Sequence, residues 1–389
     1  MLKIVTIVGA RPQIIKAAAL SRTIRKMFSD EISEIIIHTG QHYDNNMSEV
    51  FFEELEIPKP HLNLHIGSAS HAEQTAQMLM GIEKVLLVEK PDYIVLYGDT
   101  NSTLAGALAG IKLQIPVVHI EAGLRSFNKN MPEEINRIMC DHASTLLFVP
   151  TKTGIENLER EGFKTGSSSP YTSDCPGVFH CGDIMFDNLI HFSEMAGRKT
   201  DILQNLNLKE KEFVLCTIHR DNNTDSHERM KQIISALCYI QENLGLEIVI
   251  PLHPRTSKIM ESSLPKELFH KLTGNKNIHL IPPVSYLEMI ALEKTACLIL
   301  TDSGGVQKEA YFFKKPVVVL RPETEWVEIV ENGAGIIADA DEDKIVEAAK
   351  YFLKNNPLAF PEIFGDGHAA EFICRMMLGQ KPNGIYKPD

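Results

Sequence analysis

Short apolar runs rich in β-forming residues recur along the chain: KIVTIV at 3–8, EIIIH at 34–38, YIVLY at 93–97, PVVHI at 116–120 and TLLFV at 145–149. A second series comprises FVLCTI at 213–218, LEIVI at 246–250, IHLI at 278–281, CLIL at 297–300 and PVVVL at 316–320. The runs are continuous rather than alternating, which predicts parallel strands covered on both faces. Between most of them lie longer segments with helical spacing, such as AAALSRTIRKMF and ERMKQIISALCYIQENL. Strands alternating with helices predict an α/β protein, and two series predict two Rossmann-like, doubly wound domains.

The Ser-, Gly- and Pro-rich stretch KTGSSSPYTSDCPG at 164–177 reads as a surface loop near the boundary between them. The first domain is therefore expected at 1–178 and the second at 179–360, with a tail at 361–389 returning a helix to the first.

Composition narrows the possible partners. The chain has 389 residues, 44% hydrophobic and 23% charged, and a formal net charge of -12. Such acidity argues against nucleic acid, whose phosphates call for a broad basic face, but a small anion needs only a few converging Arg and Lys residues. None of the seven cysteines forms a C-x-x-C pair, and they read as reduced core residues. The start MLKIVTIVGARP lacks the basic opening and cleavage site of a signal peptide. No apolar stretch approaches the ~20 residues a membrane span requires. The expectation is a cytoplasmic protein without membrane insertion.

In open parallel sheets, ligands bind beyond the carboxyl ends of the strands, so the residues just after each run carry the chemistry. GARPQIIK follows the first strand and puts Arg11 and Lys16 near a helix start, with Pro12 in its first turn. In YGDTNST, Asp99 ends a strand and Thr100, Asn101 and Ser102 are candidate caps. HIEAGLRS places Glu121 at the end of a buried strand, and in PEEINR the four-residue spacing of Glu133 and Arg137 predicts an ion pair on one helix face. Asp99, Glu121 and Glu133 at one sheet edge would suit general acid–base work.

The second series contributes His219 and Arg220, then His253 and Arg255, also at strand ends. The histidines lack the fixed spacing to Cys or Asp that marks a metal site. In TDSGGVQKEA, Ser303, Gly304 and Gly305 leave backbone N–H groups bare at a helix start, an anion site, and Glu309 in that helix is placed to accept from a sugar hydroxyl. Diphosphate plus ribose suggests a nucleotide, without a Walker or G-x-G-x-x-G loop.

Together GARPQIIK, TGQH, YGDTNST, HIEAGLRS, PEEINR, the T-x-H-R cluster and TDSGGVQKEA resemble the non-hydrolysing UDP-N-acetylglucosamine 2-epimerases, from residue 1 to about 330. The resemblance implies a GT-B fold with UDP-sugar in a cleft between two Rossmann-like domains. It also implies a bacterial cytoplasmic homodimer making precursors for surface polysaccharide such as lipopolysaccharide O-antigen. In that family UDP is eliminated across carbons 1 and 2 and added back with inversion at carbon 2, with neither NAD nor metal. By motif, Asp99, Glu121 and Glu133 match the catalytic acids and bases. Arg11, Lys16, Arg137 and His219 match residues around the diphosphate and sugar, with His219 also a candidate for catalysis. Ser303, Gly304 and Gly305 match the diphosphate loop and Glu309 the ribose ligand, while Arg220, His253, Arg255, Met289 and Arg321 complete the expected substrate-binding set.

Several positions depart from the UDP-GlcNAc enzymes. Trp326 stands where an arginine is expected, Met289 where a phenylalanine flanks the uracil, PLHPRT replaces P-V-H-x-N-P, and TGQHYDNNMSEVFF replaces TxQHREMLD. The arginine of the family's second, regulatory UDP-GlcNAc site is absent near Gln77. These variants look more like the subgroup acting on UDP-2,3-diacetamido-2,3-dideoxy-glucuronate, with Arg255 as a partner for its extra carboxylate. The alternatives are a hydrolysing 2-epimerase, a glycosyltransferase of the same fold, and a silent nucleotide-sugar binding protein. The last would be expected to have lost the three acids.

Overall fold

A computed structural model describes residues 1–40, 57–355 and 358–381, so TGQHYDNNMSEVFF from Gln41 onward lies outside the described residues. The chain divides into two units, Met1–Asn188 with Glu362–Asp389, and Leu189–Pro361.

The first unit runs β1 (Leu2–Val8), α1 (Arg11–Met27), β2 (Ile32–His38), β3 (Leu62–Asn63), α2 (His71–Glu89), β4 (Tyr93–Tyr97), α3 (Asn101–Lys112), β5 (Val117–Ile120), α4 (Pro132–Ala143), β6 (Leu146–Val149), α5 (Lys152–Arg160), β7 (Gly177–His180) and α6 (Ile184–Lys199), which leads across the division. Its parallel sheet has the order β3-β2-β1-β4-β5-β6-β7. Helices cover both faces, which is why the strands are apolar throughout: Ile4, Val5, Ile94, Leu96, Val117 and Leu147 are buried. Burying each such side chain stabilises by roughly 1.5–3 kcal/mol.

The second unit continues with α7 (Ile202–Asn205), β8 (Phe213–Thr217), α8 (Asp221–Thr224), α9 (His227–Leu244), β9 (Glu247–Pro251), α10 (Pro254–Ser263), α11 (Lys266–Gly274), β10 (Ile278–Ile281), α12 (Tyr286–Thr295), β11 (Leu298–Thr301), α13 (Gly304–Phe312), β12 (Val317–Val319), α14 (Val327–Glu331), β13 (Gly335–Ile337) and α15 (Glu342–Lys354). Its sheet order is β10-β9-β8-β11-β12-β13. Each sheet reverses winding once, between β1 and β4 and between β8 and β11, and the crevice at such a reversal is where a doubly wound sheet takes its ligand.

The chain returns to the first unit at Glu362 and forms α16 (Ala369–Met377) there. The Asp187 carboxylate caps this helix, accepting from Ala369 N at 3.1 Å and Ala370 N at 2.8 Å. Phe372 meets Phe148 edge-on, with ring centroids 6.4 Å apart. Among the described residues no helix is long and apolar enough to cross a membrane.

Candidate active site

In the first unit the reversal point is built by Gln13, a residue that the sequence reading passed over. Its Oε1 accepts from Gly9 N at 2.9 Å, while its Nε2 donates to Tyr97 O at 2.8 Å and to Thr103 Oγ1 at 2.9 Å. One buried amide thus ties the end of β1 to the end of β4. Pro12 sits in the first turn of α1, which leaves Arg11 exposed at its start and carries Lys16 one turn later into an ion pair with Glu121.

Gly98 lies against this pair, since a Cβ added there would sit 3.4 Å from both Glu121 Oε2 and Lys16 Nζ. Its φ of 61° is also one that side chains resist. Asp99 follows directly and is held by Arg137, Nη2 at 2.6 Å and Nε at 2.9 Å from the same oxygen. Thr100 is the residue that caps α3, accepting from Thr103 N.

The predicted Glu133–Arg137 pair does not form. Arg137 reaches Asp99 and Glu134 instead, the latter at 3.0 Å. Glu134 is turned under the loop before α4, where it accepts from Ser126 N at 2.8 Å and Phe127 N at 2.9 Å. Burial pushes its carboxyl up, but these N–H groups, the Ser126 hydroxyl and Arg137 outweigh that and hold it below the usual range. Glu133 is exposed in the first turn of α4, on another face of the helix.

The second unit places its cluster at the corresponding point. Asp302, wholly buried at the end of β11, accepts from His219 N at 3.0 Å, Arg220 N at 3.1 Å and Asn223 Nδ2 at 2.9 Å. It thereby fixes the turn after β8 to the start of α13 and leaves the His219 and Arg220 side chains exposed. Ser303 caps α13 by accepting from Val306 N, and among the described residues the N–H groups of Gly304 and Gly305 have no protein acceptor. An anion there would meet the positive end of the helix.

The Glu325 carboxylate lies beside that helix start, because a Cβ on Gly304 would fall 2.0 Å from its Oε1, and Arg321 holds it at 2.8 Å. Trp326, at the position where an arginine was expected, is buried, and Lys308 Nζ lies 4.3 Å from the centre of its ring, so the local cation comes from α13. A small pocket lined by Arg220, Asn222, Asn223, Arg229, Arg321, Pro322 and Glu323 opens at this cluster.

Glu309 points from α13 toward α12, where the Tyr286 hydroxyl donates to it at 3.2 Å. Behind it Glu293 is wholly buried, and burial together with the Glu309 charge pushes its carboxyl well above the usual range. Met289, on α12, is half-buried. His253 and Arg255 lie at the start of α10. His253 caps α10, its ring accepting from Arg255 N, and the exposed Arg255 side chain is engaged by Asp225 at 3.0 Å and Asp221 at 3.8 Å. Arg255 is the expected partner for a ligand carboxylate, and the two aspartates of α8 and its cap compete for that role.

Two Rossmann-type sheets, one ending in ion-paired carboxylates and the other in a bare helix start beside arginines, are the two parallel-sheet α/β domains of a GT-B fold. The sequence pattern of the UDP-N-acetylglucosamine 2-epimerase family matches residues 25–378, and the chain belongs to that family. It is 49% identical over 379 residues to a UDP-N-acetylglucosamine 2-epimerase homolog of Methanococcus maripaludis, covering 97% of this chain and 99% of that one. It is 46% identical over 376 residues, with the same coverage, to the UDP-2,3-diacetamido-2,3-dideoxy-D-glucuronate 2-epimerase of Pseudomonas aeruginosa. The crystal structure of Methanocaldococcus jannaschii UDP-GlcNAc 2-epimerase in complex with UDP-GlcNAc and UDP superposes with a TM-score of 0.80 at 43% identity, over 97% of this chain and 100% of that one.

Proposed function

We propose that this enzyme inverts carbon 2 of a UDP-2-acetamido sugar by eliminating UDP and adding it back. A carboxylate takes the proton from carbon 2, the electron pair forms the carbon 1–carbon 2 double bond, and the bond from carbon 1 to the UDP oxygen breaks. Return of a proton to the opposite face of carbon 2, and of the UDP oxygen to carbon 1, completes the inversion. The observation that carries this reading is the pair of carboxylates, Glu121 against Gly98 and Asp99 directly after it, each ion-paired with a cation, Lys16 or Arg137.

The remaining roles follow from position. Glu133 is the third acid, and Arg11 is a candidate ligand for the diphosphate or sugar. Departing UDP is stabilised by the Gly304 and Gly305 N–H groups with Ser303, Arg220, Arg321 and His219, while Glu309 takes the ribose and Met289 flanks the uracil. His253 and Arg255 remain candidate ligands for a substituent on the sugar. The departures at Trp326 and Met289, with the Pseudomonas relative, favour UDP-2,3-diacetamido-2,3-dideoxy-glucuronate as substrate and a place in surface polysaccharide synthesis in the cytoplasm. Self-association as a homodimer is supported by Met80, Leu87 and Val88 of α2 and Ile135 and Met139 of α4, large apolar side chains left exposed on the two helices that flank α3.

The test is incubation with UDP-GlcNAc and with its diacetamido-uronate counterpart in deuterated water. Deuterium at carbon 2 of a product still joined to UDP is expected. Absence of exchange in both substrates refutes the reading, and accumulation of free sugar would assign the hydrolysing reaction instead.

A further inference from the structure

The run PVVHI contains one polar side chain, and its ring, His119, is wholly buried at the centre of β5. Nδ1 lies 2.6 Å from Asp141 Oδ1 and Nε2 lies 2.8 Å from Gly98 O. A carbonyl oxygen only accepts, so Nε2 carries a hydrogen. Asp141 also accepts from Gly123 N at 3.1 Å and from Arg125 Nη2 at 2.7 Å, which suits an ionised carboxylate, so Nδ1 carries one too. Only the imidazolium donates from both nitrogens.

We infer that His119 is a positioning residue, a permanently charged imidazolium that holds the Gly98–Asp99 turn and the Glu121 turn in a single register. The inference rests on the assignment of Asp99 and Glu121 to the proton transfers. The groups facing the ring are Cys140 and Asp141 of α4 and the Gly98 carbonyl beyond β4, with Arg125 behind Asp141. Burial opposes the charge, but Cys140 and Asp141 more than offset it, and the ring's pKa lies well above that of an ordinary histidine. Arg125 is matched in turn by Glu161 through two bonds of 2.7 Å, so the cations His119 and Arg125 face the carboxylates Asp141 and Glu161.

The consequence for the site is geometric. Gly98 is pinned on both sides, its N donating to Ile120 O at 3.1 Å and its carbonyl accepting from His119. Glu121 has a φ of 70°, a left-handed conformation that costs a residue with a side chain about 1–2 kcal/mol. That turn persists because Ala122 N donates to Phe148 O at 3.0 Å and Gly123 N to Asp141. If the ring lets go, Asp99 moves with Gly98, and Gly98 moves against the Lys16–Glu121 pair. A misplacement of about 1 Å at reacting groups can cost on the order of a hundredfold in rate.

The full-length protein, labelled with ¹⁵N-histidine, would be followed by NMR from pH 5.5 to 9, the His119 ring assigned by its loss in His119→Gln. We expect a doubly protonated ring that does not titrate up to pH 8. A His119 ring that is neutral at pH 7, or that titrates with an ordinary histidine pKa, overturns the inference, and if no variant folds, wild-type spectra in which no histidine ring stays doubly protonated up to pH 8 overturn it equally.

Kinetics test the positioning role. His119→Gln retains an amide donor that reaches toward Gly98 O, and His119→Leu retains none. Relative to wild type, kcat should fall at least about tenfold in His119→Gln and further in His119→Leu, with KM and UDP affinity changed less than about threefold. An unchanged kcat, or equal losses in kcat and active fraction, overturns positioning. Failure of the wild type to exchange deuterium at carbon 2 would refute the reaction and leave the imidazolium result standing.

Discussion

Replacing Asp302 with asparagine keeps the shape of the side chain and removes its charge. In the native turn Oδ1 accepts from His219 N at 3.0 Å, and Oδ2 from Arg220 N at 3.1 Å and Asn223 Nδ2 at 2.9 Å. An amide has one acceptor oxygen, so in either orientation its NH₂ group confronts a donor. With the oxygen in the Oδ2 place the His219 N–H keeps only its 3.2 Å contact and faces the NH₂ group, a loss of about 1–3 kcal/mol, and the other bonds lose the roughly twofold advantage of a charged acceptor. The sum is on the order of 3 kcal/mol. For a unit of ~150–250 residues, 1 kcal/mol moves the melting midpoint by about 2–4 °C, so a fall of roughly 6–12 °C is expected. UDP affinity should fall about tenfold or more, because the His219–Arg220 turn and the start of α13 share this anchor. Calorimetry reads both, by scanning with and without UDP and by titration with UDP. A variant that melts within about 2 °C of wild type and binds UDP equally well would show that Asp302 does not hold the two segments together.

Glu121→Gln should retain UDP affinity while losing deuterium exchange at carbon 2 by about a hundredfold or more, and full exchange would remove Glu121 from the proton transfers. Glu325→Gln removes a negative charge beside the Gly304 N–H and should tighten UDP binding by about two- to fivefold in titration calorimetry, where weaker binding would contradict that repulsion. Burial lowers the pKa of His180, at the end of β7, to about 4. The native ring then stays neutral while the unfolded one gains a proton below about 6.5, so its stabilisation is present above that pH and is lost between about 6.5 and 4. The melting midpoint should drop across that window, by less in His180→Leu, and identical pH profiles would count against the assignment.

Ten strands lay open in the sequence because both faces of each sheet are covered and the runs are apolar end to end. The three that were missed, β3, β7 and β13, are two to four residues long and lie at sheet edges, where little periodicity can develop. Strand-end acids were legible for the same reason, since Asp99 and Glu121 each terminate such a run. Partnerships were not. Helical spacing favoured Glu133 for Arg137, but the loop over α4 captures the neighbouring Glu134 and presents it to Arg137. Asp302 and His219 lie 83 residues apart, and His119 and Asp141 lie 22 apart, separations that no local pattern encodes. A signal did exist in PVVHI, because a histidine inside an apolar strand must find hydrogen-bond partners. Cys175, taken as a core residue, is exposed in the Ser/Gly/Pro-rich loop.

The capping of α16 by Asp187 bears on how the molecule is made. Every residue of the second unit leaves the ribosome before α16 does, yet the first unit needs that helix to shield Phe148 and to occupy Asp187. During synthesis the earlier lobe therefore waits with an aromatic patch uncovered while the later one, an unbroken segment, has all it needs to fold. Truncation before Ala369 should accordingly spare the domain translated last and cripple the one translated first.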